Sequence, residues 1–262
     1  MITFVLTSRN DNYGGCVHGV EHANMRRLQL ACASIHNLDP VHCHIIVVEW
    51  DPVPDQKRIR DFVPSYVQVI AVSHALQELL NRDKKDLPLP FYEYLGKEIG
   101  ARCARDPFVL FTNADNLFPL KNFSNVVHHL TKGAVVRGVR HDLPRDILQQ
   151  NDRLILEGAS AFSFRGKSVF DTAAGDCLGV TKDLYFQLGG FRFVHGNWDL
   201  DNDFVRRASQ VARVEFCYDH YHIDHDFAAT EMPSRPRGCL AAAHQPIAPE
   251  IVAQLMAYIS EV

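Results

Sequence analysis

The sequence predicts an α/β fold in which helices cover a parallel sheet. Over the first half of the chain, short apolar runs rich in β-branched residues alternate with segments of helical spacing. This alternation is typical of a parallel sheet with crossover helices. The 262 residues are 47% hydrophobic, which is enough for a substantial core. Polar residues follow directly on several apolar runs, and ligands in open α/β sheets bind at the carboxyl ends of strands.

In the first half, each predicted strand is an apolar run that ends in polar residues or at a turn. Apolar residues recur at helical spacing in the segments between these strands. The predicted strands are residues 2–6, 45–48, 67–72 and 108–111, the predicted helices are 20–35, 57–62 and 91–104, and the charged, proline-containing segment 81–90 is predicted as an exposed loop.

The second half is less regular. Gly189 and Gly190 form a typical glycine stop after a helix. Carboxylates open the segment 199–212 and arginines follow, which suits a helix dipole. The predicted strands are residues 135–139, 178–180 and 214–218, the predicted helices are 182–188, 199–212 and a terminal helix within 247–262 that begins near Pro249, and 166–175 is predicted as a loop.

Composition narrows the class of protein. The net charge is -4, so no basic excess points to nucleic acid as a partner. The seven cysteines are scattered without a C-x-x-C pair, which indicates free thiols in a reducing compartment. The first residues lack the features of a signal peptide, and no apolar run reaches the length of a membrane span. We therefore expect a soluble, cytoplasmic protein.

The segment 108–119 is the most informative candidate site. The apolar run 108–111 leads directly to Asn113, Asp115 and Asn116. Magnesium and manganese prefer oxygen ligands and usually retain contacts to substrate phosphates. Asp115 is therefore a candidate metal ligand, and the alternative is that it only caps the following turn.

A second cluster, residues 219–226, contains three histidines and three aspartates. In an extended segment His220, His222 and Asp224 share one face. Histidine is a common ligand for manganese, iron and zinc, so we expect a metal-binding histidine here. The alternative is a solvated polar edge or histidines that contact substrate.

Two further segments carry candidate polar groups. Asp199, Asp201 and Asp203 lie at a predicted helix start, where a carboxylate can serve as a general base or merely cap the helix. The loop after the first strand carries Arg9, which could meet a phosphate, while Glu49 could accept a hydrogen bond from a base or ribose. Neither G-x-G-x-x-G nor a Walker loop occurs, and the usual serine hydrolase and zincin motifs do not occur either.

Together these segments resemble a GT-A-type nucleotide-sugar glycosyltransferase over most of residues 2–226. The similar segments, in chain order, are FVLTSRND, IIVVEWDP, GKEIGARCARDPFVLFTNADNLFP, AGDCLGVTKDLYFQLGGF, WDLDNDFVRRA and YHIDHD. The family's D-x-D motif appears here as Asn113-Ala114-Asp115, which resembles the N-x-D form of bacterial and viral glycosyltransferase-like sequences.

The resemblance implies one GT-A-like (Rossmann-like) domain over residues 1–262, with a mixed, mostly parallel sheet. Residues 1–120 would be the nucleotide-binding half, and 121–262 the acceptor-binding half. It also implies a divalent cation, Mn²⁺ or Mg²⁺. The implied substrates are a nucleotide-diphosphate sugar donor, with UDP as default, and a hydroxyl acceptor such as a glycan, and the implied reaction inverts the configuration at the anomeric carbon of the sugar. The implied residues are Thr7, Ser8, Arg9, Glu49, Lys97 and Asn113 for the nucleotide, Asp176 and Trp198 for donor sugar or acceptor, Asp115 with His222 or His225 for metal, and Asp201 or Asp199 as base.

Three alternatives remain open from the sequence. A sugar nucleotidyltransferase would usually have a glycine-rich basic loop near its N-terminus, and the loop at 7–15 has a single arginine. A metal-dependent hydrolase would need further strand-end ligands. A nucleotide-sugar-binding protein without turnover fits the missing first aspartate of D-x-D.

Overall fold

The computed structural model describes residues 1–11, 17–82, 89, 91–150, 163–165, 174–197, 199–225 and 247–261. Trp198, most of the predicted loop 81–90 and most of the predicted loop 166–175 lie outside these residues.

One mixed sheet of ten strands organises the described part of the chain, and its long ladders are parallel. In spatial order its path is β10-β3-β2-β1-β4-β8-β6-β9-β5, with β7 paired to β6. Strands β1 to β4 are mutually parallel, as the sequence predicted, and β8 then joins β4 in the antiparallel direction. The strands are β1 Ile2–Ser8, β2 Cys43–Trp50, β3 Val67–Val72, β4 Phe108–Thr112, β5 Asn116–Leu117, β6 Val135–Leu143, β7 Ser163–Arg165, β8 Cys177–Thr181, β9 Val214–Ile223 and β10 Ile259–Glu261.

Helices cover both faces of this sheet, so the predicted fold class is confirmed. The helices are α1 Ala23–His36, α2 His74–Asn81, α3 Glu93–Cys103, α4 Phe123–Thr131, α5 Lys182–Gln187, α6 Leu200–Ala208 and α7 Pro249–Gln254, with 3-10 turns at Ile59–Asp61, Arg145–Gln149, Ala174–Asp176 and Leu255–Tyr258. Two of them, α2 and α4, were not predicted from the sequence.

The prediction of a terminal helix through residue 262 is wrong beyond Gln254. A 3-10 turn follows, and β10 then pairs antiparallel with β3. The physical reason is that Ile259 and the residues after it complete backbone hydrogen bonds along the edge of β3, opposite Val72. The predicted short helix at 57–62 is also only a 3-10 turn.

Alternate residues of the central strands enter two different cores, as period-two side-chain geometry requires. Phe4 and Leu6 pack with α1 and α4 on one face. Val5 and Phe111 pack on the other face with α3, α5 and α6. Helix α3 lies so close to β1 that a Cβ at Gly96 would clash with the side chain of Thr7. This close approach brings the first turn of α3 to the carboxyl end of β1.

Strand β9 runs five residues beyond its predicted end, to Ile223. Strand β9 therefore carries most of the histidine-rich segment along the sheet beside β6, and the short strand β5 pairs with Tyr221 and His222 near the end of β9. In that pairing Asn116 lies opposite His222. The segment after β4 and the end of β9 are thus adjacent, although they are about a hundred residues apart in the chain.

Candidate metal centre and donor site

Asp115, His222 and His225 form a buried cluster at the carboxyl end of β4. Asp115 lies in the turn between β4 and β5, and its carbonyl oxygen accepts a hydrogen bond from the backbone N–H of Ile223, 2.9 Å away. Its Oδ2 lies 2.9 Å from Nε2 of His225 and 3.6 Å from Nε2 of His222. The ligand atoms of the three residues all lie within 4.8 Å of one another. The pairing of β5 with β9 therefore converts two distant motifs into one site.

This group could hold a metal ion. Oδ1 of Asp115 is buried and has no hydrogen-bond partner among the described residues. A buried polar atom without a partner is costly, and coordination to a cation would satisfy it. Two imidazole nitrogens and one carboxylate are a ligand set that suits manganese, iron or zinc better than magnesium. The expectation of a metal-binding histidine in residues 219–226 therefore has two adjacent candidates, His222 and His225.

The charges of the cluster are strongly coupled. Burial alone would raise the pKa of Asp115, but the charge of His222 and the hydrogen bonds of both imidazoles hold it well below its usual value. Burial would lower the pKa of His222, but Asp115 and Asp142 raise it to about 9. Without a cation, a protonated His222 therefore supplies positive charge to the site at neutral pH.

His220 is not part of this cluster, although it shares the predicted face with His222. It is fully buried, stacks on Phe118 at 6.1 Å, and neither ring nitrogen has a hydrogen-bond partner in the described part of the chain. Burial lowers its pKa to about 4. Asp224, the third residue of the predicted face, is half-buried just after β9 ends.

The other ring nitrogen of His222 has two partners on β6. Asp142 Oδ1 lies 3.1 Å from Nδ1, and Arg140 Nη2 lies 2.6 Å from the same atom. Arg140 also binds Asp142 through Nε and Asp176 through Nη1, each at 2.7 Å. Arg140 thus joins the histidine cluster to Asp176, which lies in the 3-10 turn before β8.

Asn113 continues the same network. Its side-chain Nδ2 donates to Asp176 at 2.7 Å, and its Oδ1 accepts from Lys97 at 2.7 Å. An aspartate here would keep the acceptor for Lys97 but would place a second carboxylate against Asp176. An amide is the side chain that satisfies both neighbours.

Lys97 is fully buried on α3 and makes three hydrogen bonds with its ammonium group. The acceptors are Glu93 at 2.6 Å, Asn113 at 2.7 Å and the carbonyl oxygen of Gly175 at 3.1 Å. An ammonium group has three donors, so these contacts use all of them. Burial raises the pKa of Glu93, while Lys97 opposes this rise.

Of the three aspartates near the start of α6, only Asp201 faces this network. It is buried, its Oδ2 accepts the backbone N–H of Gly175 at 2.6 Å, and it hydrogen-bonds to the Tyr94 hydroxyl. Asp199 is the N-cap residue, without a capping hydrogen bond from its side chain. Asp203 instead pairs with Arg207 at 3.0 Å, farther from the cluster along the helix.

Of the predicted nucleotide residues, Lys97 and Asn113 belong to the network described above, and the other four lie in or just after β1 and β2. Thr7 and Ser8 are buried, and the Thr7 hydroxyl donates to the carbonyl of Glu93 at 3.1 Å. Arg9 donates to the carbonyl oxygen of Asp51 at 3.0 Å. Glu49 lies inside β2, and its two oxygens accept from Arg58 and from the backbone N–H of Ile59.

Sequence reasoning missed several residues of this region, which are Asp51, Glu93, Tyr94, Arg140 and Asp142. Arg140 and Asp142 lie two residues apart, which places them on one face of a strand, but the predicted strand ended at residue 139. The others adjoin predicted site residues in the sequence but carry no motif of their own.

Comparison with known proteins places the fold. No protein-family model matches the sequence, and no curated protein matches it either. Among solved structures, residues 1–349 of S. aureus TarS match with a TM-score of 0.50 and 12% sequence identity. The match covers 85% of this chain and 60% of the TarS chain, so this chain spans about three-fifths of that structure. At this identity the likeness shows the fold alone, a GT-A-like Rossmann-type α/β fold.

The fold contains no membrane-spanning candidate among the described residues, because none of their helices combines the length and the apolar character that a span needs.

Proposed function

We propose that this protein is a metal-dependent glycosyltransferase that moves a sugar from a nucleotide-diphosphate donor, with UDP as default, to an acceptor hydroxyl with inversion. The observation that carries the proposal is the cluster of Asp115, His222 and His225 at the carboxyl end of β4, joined to Asp176 through Arg140. The similar fold of TarS, a glycosyltransferase, supports the same reaction class.

In this proposal Asp115, His222 and His225 hold a divalent cation, which would stabilise negative charge on the departing diphosphate. Asp176 lies on the donor-sugar side, and its two carboxylate oxygens are fixed by Asn113 and Arg140. Because both oxygens are held by protein groups, its position is set before a sugar binds. Preorganised polar groups of this kind lower the cost of reaching the transition state.

Asp201 is the proposed general base. Its Oδ2 is bound to the Gly175 amide, in the same 3-10 turn that contains Asp176. The base and the donor-sugar carboxylate are therefore positioned by one short segment. Asp201 would accept the proton of the acceptor hydroxyl as that oxygen attacks the sugar.

Residues 1–120 would bind the nucleotide, with Thr7, Ser8 and Arg9 at the end of β1. The remaining half, 121–262, would bind the acceptor. Lys97 would act by positioning Asn113, since its three donors are engaged within the protein. Both Glu49 oxygens are bonded to Arg58 and the Ile59 amide, and both Asp51 oxygens have partners in Arg9 and His74, so either carboxylate would have to exchange a protein partner to meet the nucleoside.

A second candidate is a nucleotide-sugar-binding protein without turnover. The observation that favours it concerns Asn113, whose two polar atoms are bonded to Lys97 and Asp176. Asp115 is then the single residue of the N-x-D segment that can bind a metal.

A thermal-shift screen of UDP-, GDP-, CDP- and TDP-sugars with Mn²⁺ tests both candidates, because a ligand that binds the native state raises its melting temperature. The glycosyltransferase proposal expects one nucleotide class to stabilise the protein and to be turned over. Stabilisation without any sugar transfer or donor hydrolysis would favour the binding protein instead.

Matched variants assign the roles. Asp115→Ala should lose stabilisation by Mn²⁺, and Asp201→Asn should keep donor binding but lose most turnover. Asp203→Asn is the control, because it makes the same change on the same helix at a residue paired with Arg207. Full transfer activity in Asp201→Asn, or an undiminished Mn²⁺ effect in Asp115→Ala, would refute the corresponding assignment.

A further inference from the structure

We propose that Asp142 orients His222 for metal binding by accepting the proton on Nδ1, and that Arg140 competes with it for this nitrogen. The inference rests on the metal site of the proposed function. It assigns a positioning role to two residues of β6 that belong to none of the sequence motifs.

The geometry of the strands fixes the Asp142–His222 pair. The two residues are register partners in the parallel ladder of β6 and β9. Both side chains are buried, and Asp142 Oδ1 lies 3.1 Å from Nδ1. The opposite ring nitrogen, Nε2, lies 3.6 Å from Asp115. The imidazole is therefore held between two carboxylates, with one nitrogen facing each.

Metal binding requires a particular tautomer of this ring. A cation at Nε2 needs the lone pair of that nitrogen, so the ring proton must be on Nδ1. Asp142 is positioned to accept that proton. Carboxylate partners of this kind orient metal-binding histidines, and removing them typically weakens metal affinity by about 10- to 100-fold.

Arg140 favours the opposite tautomer. A guanidinium group has donors and no acceptor, so the 2.6 Å contact of Nη2 with Nδ1 is a hydrogen bond only when the ring is neutral and Nδ1 carries a lone pair. The ring proton would then lie on Nε2, where it blocks the metal. Arg140 can give up this contact and still stay in place, because Nε and Nη1 remain bound to Asp142 and Asp176.

Substitutions of the two residues should therefore affect Mn²⁺ affinity differently. Asp142→Asn replaces an obligate acceptor with an amide that can donate to Nδ1, and we expect the dissociation constant to rise about 10- to 100-fold. Arg140→Lys keeps the positive charge but removes the planar fork. We expect this variant to bind Mn²⁺ as tightly as wild type or more tightly.

Asp219→Asn is the matched control. Asp219 lies on β9 and pairs with His141 Nε2 at 3.0 Å, and its side chain is 54% exposed. The substitution makes the same chemical change in a carboxylate–histidine pair outside the cluster. We expect its Mn²⁺ dissociation constant to stay within about twofold of wild type, since exposed ion pairs contribute little.

The experiment is a Mn²⁺ titration of the full chain, followed by the electron paramagnetic resonance signal of the free ion, after metal-free melting curves have established that each variant folds. A tenfold loss in Asp142→Asn with an unchanged control supports the proposal. Wild-type affinity in Asp142→Asn overturns it while leaving the metal site intact. No Mn²⁺ binding by wild type overturns the metal site itself and this inference with it. If Asp142→Asn does not fold, Arg140→Lys decides, and a tenfold loss of affinity in that variant overturns the competition.

Discussion

Replacing Asn113 by aspartate is the most direct test of why this chain carries N-x-D. The substitution removes the hydrogen bond from Nδ2 to Asp176, 2.7 Å long, and sets two carboxylates against each other. A hydrogen bond to a charged group contributes about 1.5–3 kcal/mol. Repulsion at roughly 4 Å adds up to about 4 kcal/mol at an effective dielectric constant near 20. A stronger pairing with Lys97 offsets part of this, since that contact becomes charged on both sides.

We therefore expect Asn113→Asp to lower the free energy of unfolding by about 2–4 kcal/mol without metal, which corresponds to a fall in melting temperature of about 5–15 °C. Urea unfolding in the presence of EDTA measures it. Asn125→Asp, an exposed position on α4, is the control and should change stability by about 0.5 kcal/mol or less. A melting temperature of Asn113→Asp within about 1 °C of wild type would refute the arrangement of Lys97, Asn113 and Asp176 described above.

Two further predictions concern His222 and Gly96. The pKa of His222 is raised in the folded state from 6.5 to about 9, so its stabilising contribution is complete below pH 6.5 and is lost as the pH rises through 9. Urea unfolding of the metal-free protein should show this loss of stability, which is at most about 3 kcal/mol. The stability of His222→Gln should depend less on pH, and an equal dependence in the two proteins would contradict the prediction. Gly96→Ala should destabilise the protein by about 1–3 kcal/mol through overpacking against Thr7, and an unchanged denaturation midpoint would mean that α3 does not approach β1 this closely.

Patterns local in the sequence predicted the fold well. The parallel strands β1 to β4 and the helices α1 and α3 each have an apolar pattern within one short segment. The end of the chain misled the same reasoning, because β10 exists only through its pairing with β3. Helix α2 was missed because it is only eight residues long, although Leu76, Leu79 and Leu80 recur at helical spacing.

The candidate site was predictable in its motifs but not in its assembly. Asp115 and His222 were predicted as metal ligands with His225 as the alternative to His222, because His225 has no period-two relation to His222. A pairing of two residues, Asn116 and Leu117, brings these segments together, and so short a strand leaves no sequence signal. Arg140 and Asp142 were missed because the predicted strand 135–139 ended before them, whereas β6 continues to Leu143 and directs both side chains toward buried partners.

The charges around Asp115, His222 and His225 favour histidines over a further carboxylate at this site. Four buried carboxylates, those of Asp115, Asp142, Asp176 and Asp201, and the half-buried Glu93 lie near three basic side chains. These are Lys97, Arg140 and the buried Arg137 of β6, which interacts electrostatically with Asp176 and Asp201. Two positive charges are therefore missing when the imidazoles are neutral, and uncompensated buried charge is costly. A proton on His222 supplies one of them without metal, and a divalent cation would supply both. A second carboxylate at position 113 would deepen the deficit and could not carry a proton as readily at neutral pH. Asparagine at position 113, with His222 and His225 beside Asp115, therefore leaves less uncompensated negative charge than a second carboxylate would, with or without a cation.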